Sequence, residues 1–374
     1  MNIAVIFGGE SCEHDISIIT GVQLMTNMNE YLYNVYPIYI NKVGSWLTGE
    51  NLNDVVNFTN DLKKLKECAF LPNDSGLYIK KRGKYKKLVD IDVVFVCLHG
   101  MRGEDGAVAG ILEMSKIPYS SSSICASSIC MDKCVFKYFA KGMGVNIVDG
   151  ICVGKKEYLS DYESVFEKVK NLGLPIIIKP SRQGSSIGIE VCESLDAFKN
   201  QVEKAFKYDD KLLIEKFVSI KKEVNVAVLN NKHDFIISNT EEPITSDKIL
   251  SFDNKYRKNT GGFETIKRKM PADISEEQES LIKQYATNVY VTLDMCGPVR
   301  FDFLIDDNDN IFLNEVNTIP GSMANYLFDK KKYGYEKLIE IMISNALLRS
   351  ENAKKITKVF VSDVLENDFD GFKK

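Results

Sequence analysis

Two short segments in the C-terminal third of the chain carry oxygen ligands at a spacing that could hold a metal ion. Asp302 lies in the segment RFDF, and Glu315 and Asn317 lie in the segment NEVN. If both segments are strands of one hairpin, alternate side chains share a face, so all three meet there together with Arg300. Two carboxylates and an amide oxygen suit Mg²⁺, which keeps waters and phosphates as its other ligands. A solvated face is the alternative, which the apolar flanking residues disfavour.

A lysine at the end of an apolar strand, followed closely by a Gly/Ser turn, could bind a polyphosphate. Lys179 ends the run PIIIK, and the turn spans Gly184 to Gly188 with Ser185 and Ser186 inside it. A buried lysine needs an anionic partner or a route to solvent, and such a turn offers amide and hydroxyl donors. The pattern is not a Walker loop. A β-hairpin with a lysine that reaches solvent is the alternative.

Two glycine-rich turns follow predicted strands near the N-terminus. Gly8 and Gly9 end the first strand, and Glu13 stands where a helix begins. The turn is not G-x-G-x-x-G, which disfavours a nicotinamide site. His99 follows another apolar strand and precedes three glycines, at the sheet edge where α/β proteins bind ligands. The alternatives are a helix-start acid favoured by the helix dipole and a histidine satisfied within a loop.

The first part of the chain must position these turns through alternating apolar strands and helices. Predicted elements are strands at 2–7, 33–40 and 91–98 and a helix at 15–28. Continuous apolar strands alternating with helices predict an α/β unit with a doubly wound parallel sheet over residues 1–123. Its middle, about 50–90, is rich in Lys and Asn and is expected to form loops and short strands.

Two smaller α+β units are predicted after it, over residues 124–220 and 221–350. The first has helices at 127–142 and 195–208 and strands at 174–179, 187–192 and 212–216. The second has a strand from 223 to 229, a polar loop at 241–262, helices at 275–294 and 333–349, and the hairpin 300–305/311–316. Residues 351–374 are expected to form a polar tail.

Composition narrows the class of protein. The 374 residues carry 48 basic and 52 acidic side chains, a net charge of −4, which does not favour binding to nucleic acid or to an anionic membrane. No stretch approaches the roughly 20 apolar residues of a membrane span, and the N-terminus lacks a signal-peptide pattern. The nine cysteines are scattered without a C-x-x-C pair, which predicts reduced thiols, a cytoplasmic location and no structural zinc.

Five motifs together resemble the D-alanine–D-alanine ligase family, including the D-alanine–D-serine ligases close to it. They are FGGESCEHDIS, LHGMRGEDGAVAGILE, CMDK, IKPSRQGSSIG and RFDF…NEVNTIPG, in order over about residues 2–325. The resemblance implies an ATP-grasp fold of three domains with ATP between the second and the third. It also implies ATP and two Mg²⁺ ions as cofactors, Mn²⁺ being an alternative metal, and a homodimer as the common assembly.

The resemblance implies roles for individual residues. In the nucleotide site, Lys133 and Lys179 would contact the phosphates, and the closing loop with Gly184, Ser186 and Gly188 would cover them. The segment Glu215, Lys216, Phe217 and Val218 would read the adenine. Glu223 would bind the ribose hydroxyls. Asp302, Glu315 and Asn317 would hold the metal ions. Around the reacting groups, Glu13 would bind the first substrate's ammonium with help from Ser185 and Tyr256, and His99 would lie near the attacking amine. Arg300 and the Gly321 amide would stabilise the oxyanion. Lys255 and Tyr256 would belong to a loop that caps the site.

The chain departs from the family where the second amino acid should bind. After Asn317-Thr318-Ile319-Pro320-Gly321 the family has a segment ending Ser-His-Ser, whose last serine holds a carboxylate, whereas this chain places Tyr326 there. The predicted activity is ATP-dependent formation of a D-alanine dipeptide for peptidoglycan synthesis through an acyl phosphate. The alternatives are D-serine, D-lactate or another amine as acceptor, D-lactate being disfavoured by the Lys-Tyr pair, and an ATP-binding protein without catalysis.

Overall fold

The computed structural model describes residues 1–59, 62, 64–232, 234–244 and 267–362. Its first domain is built on a seven-stranded sheet with the order β6-β5-β4-β3-β2-β1-β7. The strands are β1 (Asn2–Gly8), β2 (Asn34–Ile40), β3 (Trp46–Thr48), β4 (Lys66–Leu71), β5 (Asp74–Lys81), β6 (Lys84–Asp90) and β7 (Val93–Val96). Strand β1 pairs in parallel with β2 and β7, and its residues from Ile3 to Gly8 are buried. Helices α1 (His14–Thr26) and α2 (Ala107–Met114) follow β1 and β7.

The segment expected to form loops and short strands instead extends this sheet. Strands β3 to β6 pair antiparallel with one another, so the parallel part is limited to β2, β1 and β7. The edge strand β6 has the sequence KYKKLVD and is exposed along almost its whole length. A lysine-rich edge resists pairing with other chains. The β6 sequence also lacks the alternation of apolar and polar residues that marks a half-buried strand, which is why the sequence pattern did not predict β6.

The second domain is an antiparallel sheet with the order β10-β9-β11-β8, flanked by helices. Its elements are α3 (Ile124–Met131), α4 (Lys133–Gly142), β8 (Gly150–Gly154), α5 (Lys155–Ser160), α6 (Tyr162–Leu172), β9 (Ile176–Pro180), β10 (Glu190–Cys192), α7 (Leu195–Ala205) and β11 (Lys211–Lys216). The single helix predicted at 127–142 is two helices. They meet at Asp132, which has extended backbone and caps α4 by accepting the Val135 amide at 3.1 Å. Strand β8 and helices α5 and α6 were not predicted.

The third domain carries the predicted hairpin within the sheet β13-β12-β16-β17. Its elements are β12 (Ile220–Asn231), β13 (Asp234–Ile237), β14 (Glu242–Pro243), β15 (Arg268–Lys269), α8 (Glu276–Thr292), β16 (Val299–Asp306) and β17 (Ile311–Asn317). Helix α8 begins with a capping box between Ser275 and Gln278, two donors satisfied reciprocally. The hairpin prediction is confirmed.

The last helix, α9 (Tyr335–Lys355), returns to the first domain. Its apolar residues Leu338, Ile339 and Met342 belong to the same buried cluster as strand β1. Arg349 donates hydrogen bonds to the carbonyls of Ser121 and Tyr119, at 2.8 and 2.7 Å. The helix therefore extends past residue 351, where a polar tail was expected to begin. Over the described ranges, no helix has both the length and the apolar character needed to cross a membrane.

Candidate active site

Strands β16 and β17 bring the three predicted metal ligands together. Asp302 stands opposite Glu315 and Arg300 stands opposite Asn317, and a bulge follows directly after Asp302. Asn317 donates from Nδ2 to Asp302 Oδ2 at 3.0 Å. The shared face predicted from the alternation of side chains is therefore present.

Arg300 neutralises the buried Asp302 carboxylate. Its Nε and Nη2 donate to the two carboxylate oxygens at 2.7 and 2.8 Å, and the Asp302 residue is only 3% exposed. Burial opposes the charge on Arg300, but Asp302 and its other anionic neighbours outweigh burial and raise the pKa of the guanidinium. Arg300 stays charged and is held in one orientation, as a group that stabilises developing negative charge must be.

Glu315 faces a small cavity where the three domains meet. This cavity of about 30 Å³ is lined by Glu315 and Asn317 from the third domain, Lys133 and Gly184 from the second, and Glu104 from the first. Among the described residues no group of three His, Cys, Asp or Glu side chains forms a ready-made metal cluster. Two carboxylates and an amide beside Lys133 nevertheless fit Mg²⁺, which usually takes one or two carboxylates and shares substrate phosphates.

Glu13 and Ser185 join the first and second domains. Ser185 Oγ donates a hydrogen bond to Glu13 Oε1, and a Cβ added at Gly184 would lie 2.8 Å from Glu13 Oε2. Ser185 and Ser186 both have positive φ, 51° and 59°, as does Gly188 at 71°. This tight left-handed turn brings the loop backbone directly against the carboxylate, so a side chain at residue 184 would displace the Glu13 carboxylate.

His99 is buried beneath the turn that follows the hairpin. Its Nε2 lies 2.9 Å from Thr20 Oγ1, and Thr20 also accepts the Ser322 amide at 3.2 Å. Burial lowers the pKa of His99 to about 4, although a hydrogen bond to the Ile319 backbone opposes that shift. The imidazole is therefore neutral at physiological pH and is fixed between α1 and the turn at 319–322.

Glu104 links the first and third domains from within the His99 loop. Its Oε2 accepts the Gly100 amide at 2.8 Å and its Oε1 accepts the Ile319 amide at 3.3 Å. Burial first, and then the nearby Glu13 carboxylate, raise the pKa of Glu104 to about 8, while the two amides lower it. Protonation removes a like charge from a region that already contains two other carboxylates.

Lys179 has an anionic partner inside the protein. Its Nζ lies 2.5 Å from Glu215 Oε2 and 3.2 Å from Asn314 Oδ1, and Glu215 also pairs with Lys137 of α4. Burial would raise the pKa of Glu215, but the two lysines outweigh it and lower it. Burial lowers the pKa of Lys137 despite the carboxylate. The Glu215 side chain thus orders two cations in the cleft between the second and third domains.

Lys133 begins helix α4 and contacts the closing loop. Its Nζ donates to the Gln183 carbonyl at 2.6 Å, next to Gly184. The amides of the first helical turn already have partners, since Lys133 and Cys134 donate to Ser181 and Val135 donates to Asp132, so the helix offers a ligand its positive dipole end rather than these donors. Lys133 and the loop from Gly184 to Gly188 are therefore adjacent, as predicted, whereas Lys179 lies further along the cleft beside Glu215.

The segment expected to read adenine leaves strand β11. Lys216 and Phe217 donate their amides to the carbonyls of Asp149 and Pro175, both at 2.9 Å, so these two donors already have partners. Phe217 and Val218 are half-buried at the cleft. Glu223 lies on β12, opposite Leu304 of β16.

The turn after the hairpin has an unusual backbone. Gly321 begins a 3-10 helix, Gly321–Leu327, in which Ser322, Met323 and Ala324 have left-handed φ values of 51°, 52° and 50°. Each such residue costs about 1–2 kcal/mol relative to a right-handed conformation. Strain of this kind is often held at functional sites by surrounding structure. Here the Thr20 and Gln23 side chains of α1 hold it through Ser322.

Tyr326, at the position of the family's serine, lies at the end of that helix. Its hydroxyl accepts a hydrogen bond from Arg300 Nη1 at 3.4 Å, and its ring stacks on the Arg268 guanidinium at 4.7 Å. Tyr326 and Arg268 line a cavity of about 760 Å³ together with Gln23 and Asn325. A carboxylate in this cavity would meet the Arg268 guanidinium, while Arg300 is bonded to Asp302 behind the tyrosine hydroxyl.

Lys255 and Tyr256 lie outside the described residues, as do residues 245–262 of the polar loop predicted at 241–262. Sequence reasoning missed Glu104, Thr20 and Lys137. Glu104 follows His99 within the same glycine-rich loop, and Lys137 stands one helical turn after Lys133. The position of each beside a predicted site residue could therefore have identified it from the sequence. Thr20 had none, because a threonine within an apolar helix is usually a packing residue.

Comparisons with known proteins agree with this arrangement. Family models described as the D-ala D-ala ligase N-terminus and C-terminus match residues 2–122 and 139–344. A D-alanine–D-alanine ligase of Thermosipho melanesiensis is 36% identical over 360 residues, with 96% of both chains covered. The D-alanine–D-alanine ligase of Geobacillus thermodenitrificans is 33% identical, with 96% of this chain and 98% of the relative covered.

Solved structures of the same kind superimpose on this one. The VanG D-Ala:D-Ser ligase of Enterococcus faecalis has a TM-score of 0.78 at 27% identity, covering 92% of this chain and 99% of that one. The D-alanine–D-alanine ligase of Helicobacter pylori has a TM-score of 0.75 at 28% identity, covering 92% and 98%. These matches agree with the ATP-grasp fold. The chain therefore belongs to the D-alanine–D-alanine ligase family.

Proposed function

We propose that this protein is an ATP-dependent D-alanine–D-alanine ligase that works through an acyl phosphate. The observation that supports this most is the cavity shared by the three domains, where Lys133, Glu315 and Glu104 meet beside Gly184. In this proposal it combines a phosphate-binding cation, a metal-binding carboxylate and a loop that closes on the first domain. A protein that only bound ATP would not require that closure onto Glu13.

The nucleotide lies between the second and third domains in this proposal. Lys133 and Lys179 bind its phosphates, and the amides of the loop from Gly184 to Gly188 close over them. Glu215 positions Lys179 and Lys137 by forming an ion pair with each of them. The backbone around Phe217 and Val218 reads the adenine, and Glu223 binds the ribose hydroxyls.

Asp302, Glu315 and Asn317 hold two Mg²⁺ ions against the phosphates in this proposal, Mn²⁺ being the alternative. Bound there, the metal would supply positive charge to the transferring phosphoryl group. The chain itself contributes Arg300, which is fixed by Asp302 and directed toward the developing oxyanion together with the Gly321 amide.

The donor D-alanine binds between the first and second domains. Glu13 takes its ammonium, and Ser185 orients that carboxylate from the closing loop. The neutral His99 lies beneath the turn that bears Gly321, where the acceptor amine attacks. Phosphorylation of the donor carboxylate replaces a poor leaving group by phosphate, and attack by the second amine then forms the peptide bond.

The acceptor subsite is assigned to Tyr326 and its two cations. Arg300 and Arg268 flank the tyrosine, and Arg268, which lines the cavity, offers charge for an acceptor carboxylate, with the tyrosine hydroxyl as a further donor. An aromatic alcohol thus stands where the family has a serine. D-Alanine is the proposed acceptor. D-Serine is the second candidate, since the structural relatives include a D-Ala:D-Ser ligase.

A panel of acceptors tests the assignment. Purified protein with ATP, Mg²⁺ and D-alanine is given D-alanine, D-serine, D-lactate or glycine as acceptor, and products are identified by mass spectrometry alongside phosphate release. We expect D-alanyl-D-alanine as the main product. Tight ATP binding without product over the whole panel would instead indicate a non-catalytic protein.

Tyr256 is proposed to cap the site together with Lys255. An acyl phosphate hydrolyses if water reaches it, so a cap must exclude water during transfer. Tyr256→Phe is expected to lower dipeptide formation and to raise phosphate release without dipeptide, with D-alanine affinity little changed. The ratio of phosphate to dipeptide measures this coupling, and a ratio that stays at the wild-type value contradicts the assignment.

The proposed setting is the cytoplasm, where ATP and D-amino acids meet and where the dipeptide enters peptidoglycan precursors. All nine cysteines are free thiols, which supports a reducing compartment. A homodimer is also proposed. Sedimentation equilibrium on the purified protein would decide between one and two copies.

A further inference from the structure

We propose that Cys134 and Cys152 form a thiol–disulfide site that reacts with hydrogen peroxide and controls ATP binding. Cys152 lies on strand β8, and Cys134 begins the first turn of helix α4, directly after Lys133. The two thiols are neighbours on one face of the sheet, because Cys134 Sγ lies at the Leu212 carbonyl while Cys152 stands opposite Leu213, the next residue of β11. Nothing in the ligase reaction requires either thiol.

The polypeptide around them explains why the thiols meet. Cys152 pairs across the sheet with Leu213 of β11, and Cys134 Sγ donates to the carbonyl of the preceding Leu212 at 3.5 Å. Helix α4 packs over this part of the sheet, since Asp132 and Lys137 at its start pair with Lys211 and Glu215 of β11. Tyr138, one helical turn after Cys134, also lowers the pKa of Cys152.

The charges around Cys152 favour the thiolate, which is the nucleophilic form. The hydrogen bond from Cys134 lowers the pKa of Cys152 most, burial opposes it, and the Lys211 ammonium then lowers it further. Asp132 raises it, but Asp132 is itself paired with Lys211 at 2.9 Å. The buried Lys137 is a further nearby cation.

The two cysteines differ in exposure, and this difference decides which thiol meets the oxidant first. Cys152 is half-buried and lines an open pocket of about 900 Å³ together with Lys155, Lys156 and Lys211, so a small oxidant can reach it. Cys134 is completely buried, and its pKa is raised by the hydrogen bond that it donates and by burial. Cys152 is therefore the thiol that reacts first, and Cys134 is the thiol that resolves the product.

Hydrogen peroxide is the only oxidant needed to convert the two thiols into a disulfide. The Cys152 thiolate attacks one peroxide oxygen, the O–O bond breaks, and hydroxide leaves as water after taking a proton, so sulfur becomes a sulfenic acid. The Cys134 sulfur then attacks the Cys152 sulfur and forms the S–S bond while the S–O bond breaks. Its proton leaves with the hydroxide as a second water. A dithiol reverses the reaction by exchange.

Closing the bond must alter the ATP site because Cys134 directly follows Lys133. Drawing Cys134 toward β8 moves the first turn of α4 and its cap Asp132, which is paired with Lys211 of β11. Lys133 would then no longer align with the Gln183 carbonyl beside the closing loop. We expect the affinity for ATP to fall severalfold in the oxidised protein.

Mass spectrometry of the full-length protein after treatment with stoichiometric hydrogen peroxide tests the site without relying on ligase activity. We expect loss of two hydrogen atoms and a non-reduced peptide joining Cys134 to Cys152. Cys134→Ser should instead leave a sulfenic acid at Cys152 that dimedone traps, with Cys134→Ala as a second variant if the first folds poorly. Cys125→Ser removes an exposed thiol outside the pair and should behave like the wild type. Oxidation of Cys12 or Cys125 before the pair would overturn the proposal.

Binding of a fluorescent ATP analogue tests the consequence. The oxidised wild type should bind severalfold more weakly, and dithiothreitol should restore the affinity. Cys152→Ser should bind equally well before and after peroxide. A disulfide that forms without any change in nucleotide affinity would overturn the control of ATP binding.

Discussion

The Asp302 carboxylate is held at both oxygens by Arg300 and at one by Asn317, whereas Glu315 faces the cavity beside Lys133. These two carboxylates therefore have different tasks, although they stand opposite each other on the hairpin. Asp302 fixes the orientation of the guanidinium, and Glu315 is the carboxylate that we propose as the principal ligand of Mg²⁺. Charge rather than shape should matter most at Glu315.

Glu315→Gln keeps the shape of the side chain and removes its charge. We expect the turnover number to fall by two or more orders of magnitude with the melting temperature nearly unchanged, since the loss affects charge that develops in the transition state. Asp307→Asn, in the exposed turn of the same hairpin, is the matched control and should retain activity. Near-normal dipeptide formation by Glu315→Gln would rule out its role as a metal ligand.

The stability of the protein should depend on pH through His99. Its pKa is about 4 in the folded protein and 6.5 when unperturbed, so between these values the unfolded chain binds the extra proton. The free energy of unfolding therefore falls as pH decreases through this range, by up to about 3 kcal/mol from this group.

Between pH 7 and 5, the free energy of unfolding of His99→Gln, measured with urea, is expected to fall less than that of the wild type. His14, whose pKa burial also lowers, is present in both proteins and drops out of the difference. Parallel curves for the two proteins would show that His99 is not held neutral by burial.

At the scale of elements, the loop from Gly184 to Gly188 closes on the first domain because residue 184 lacks a side chain. A Cβ there would lie 2.8 Å from the carboxylate of Glu13. Gly184→Ala should raise the KM for D-alanine by tenfold or more, since the donor ammonium binds at that carboxylate, while melting temperature changes little. Gly154→Ala, where a Cβ meets nothing within 4 Å, is the control. Equal KM values in the two variants would contradict closure onto Glu13.

The same elements show what the sequence could and could not predict. The hairpin around Asp302 and Glu315 was predictable because strand alternation acts over two residues and the flanks are apolar. Asp132 interrupts the helix predicted at 127–142, because its side chain caps the next helix better than it continues the previous one. The pairing of Lys179 with Glu215 joins two strands through a tertiary contact, which no local pattern encodes.

At the scale of the whole molecule, helix α9 ties the end of the described chain to the first domain. Arg349 donates to the Ser121 and Tyr119 carbonyls, and its guanidinium lies 4.0 Å from the centre of the Tyr119 ring. The third domain is thus connected to the first by packing as well as through the shared active site, and a distance of 228 residues separates Arg349 from Ser121.

Arg349→Ala should lower the free energy of unfolding by about 2–3 kcal/mol, because two charged hydrogen bonds and a ring contact are lost. The KM values should change little, since no substrate is assigned to that contact. Lys354→Ala, exposed on the same helix, should have no measurable effect on stability. Urea unfolding compares the three proteins, and equal midpoints for wild type and Arg349→Ala would show that the contact contributes nothing to the fold.

In the proposed reaction, one site assembled from three domains phosphorylates a donor carboxylate before joining it to an amine. D-Alanine labelled with oxygen-18 in its carboxylate tests this most directly, with mass analysis of the phosphate and the dipeptide. We predict that each dipeptide formed is matched by one inorganic phosphate carrying a single labelled oxygen, because the acyl phosphate transfers that oxygen when it is attacked. Dipeptide formed together with unlabelled phosphate, or no dipeptide at all, would contradict the account.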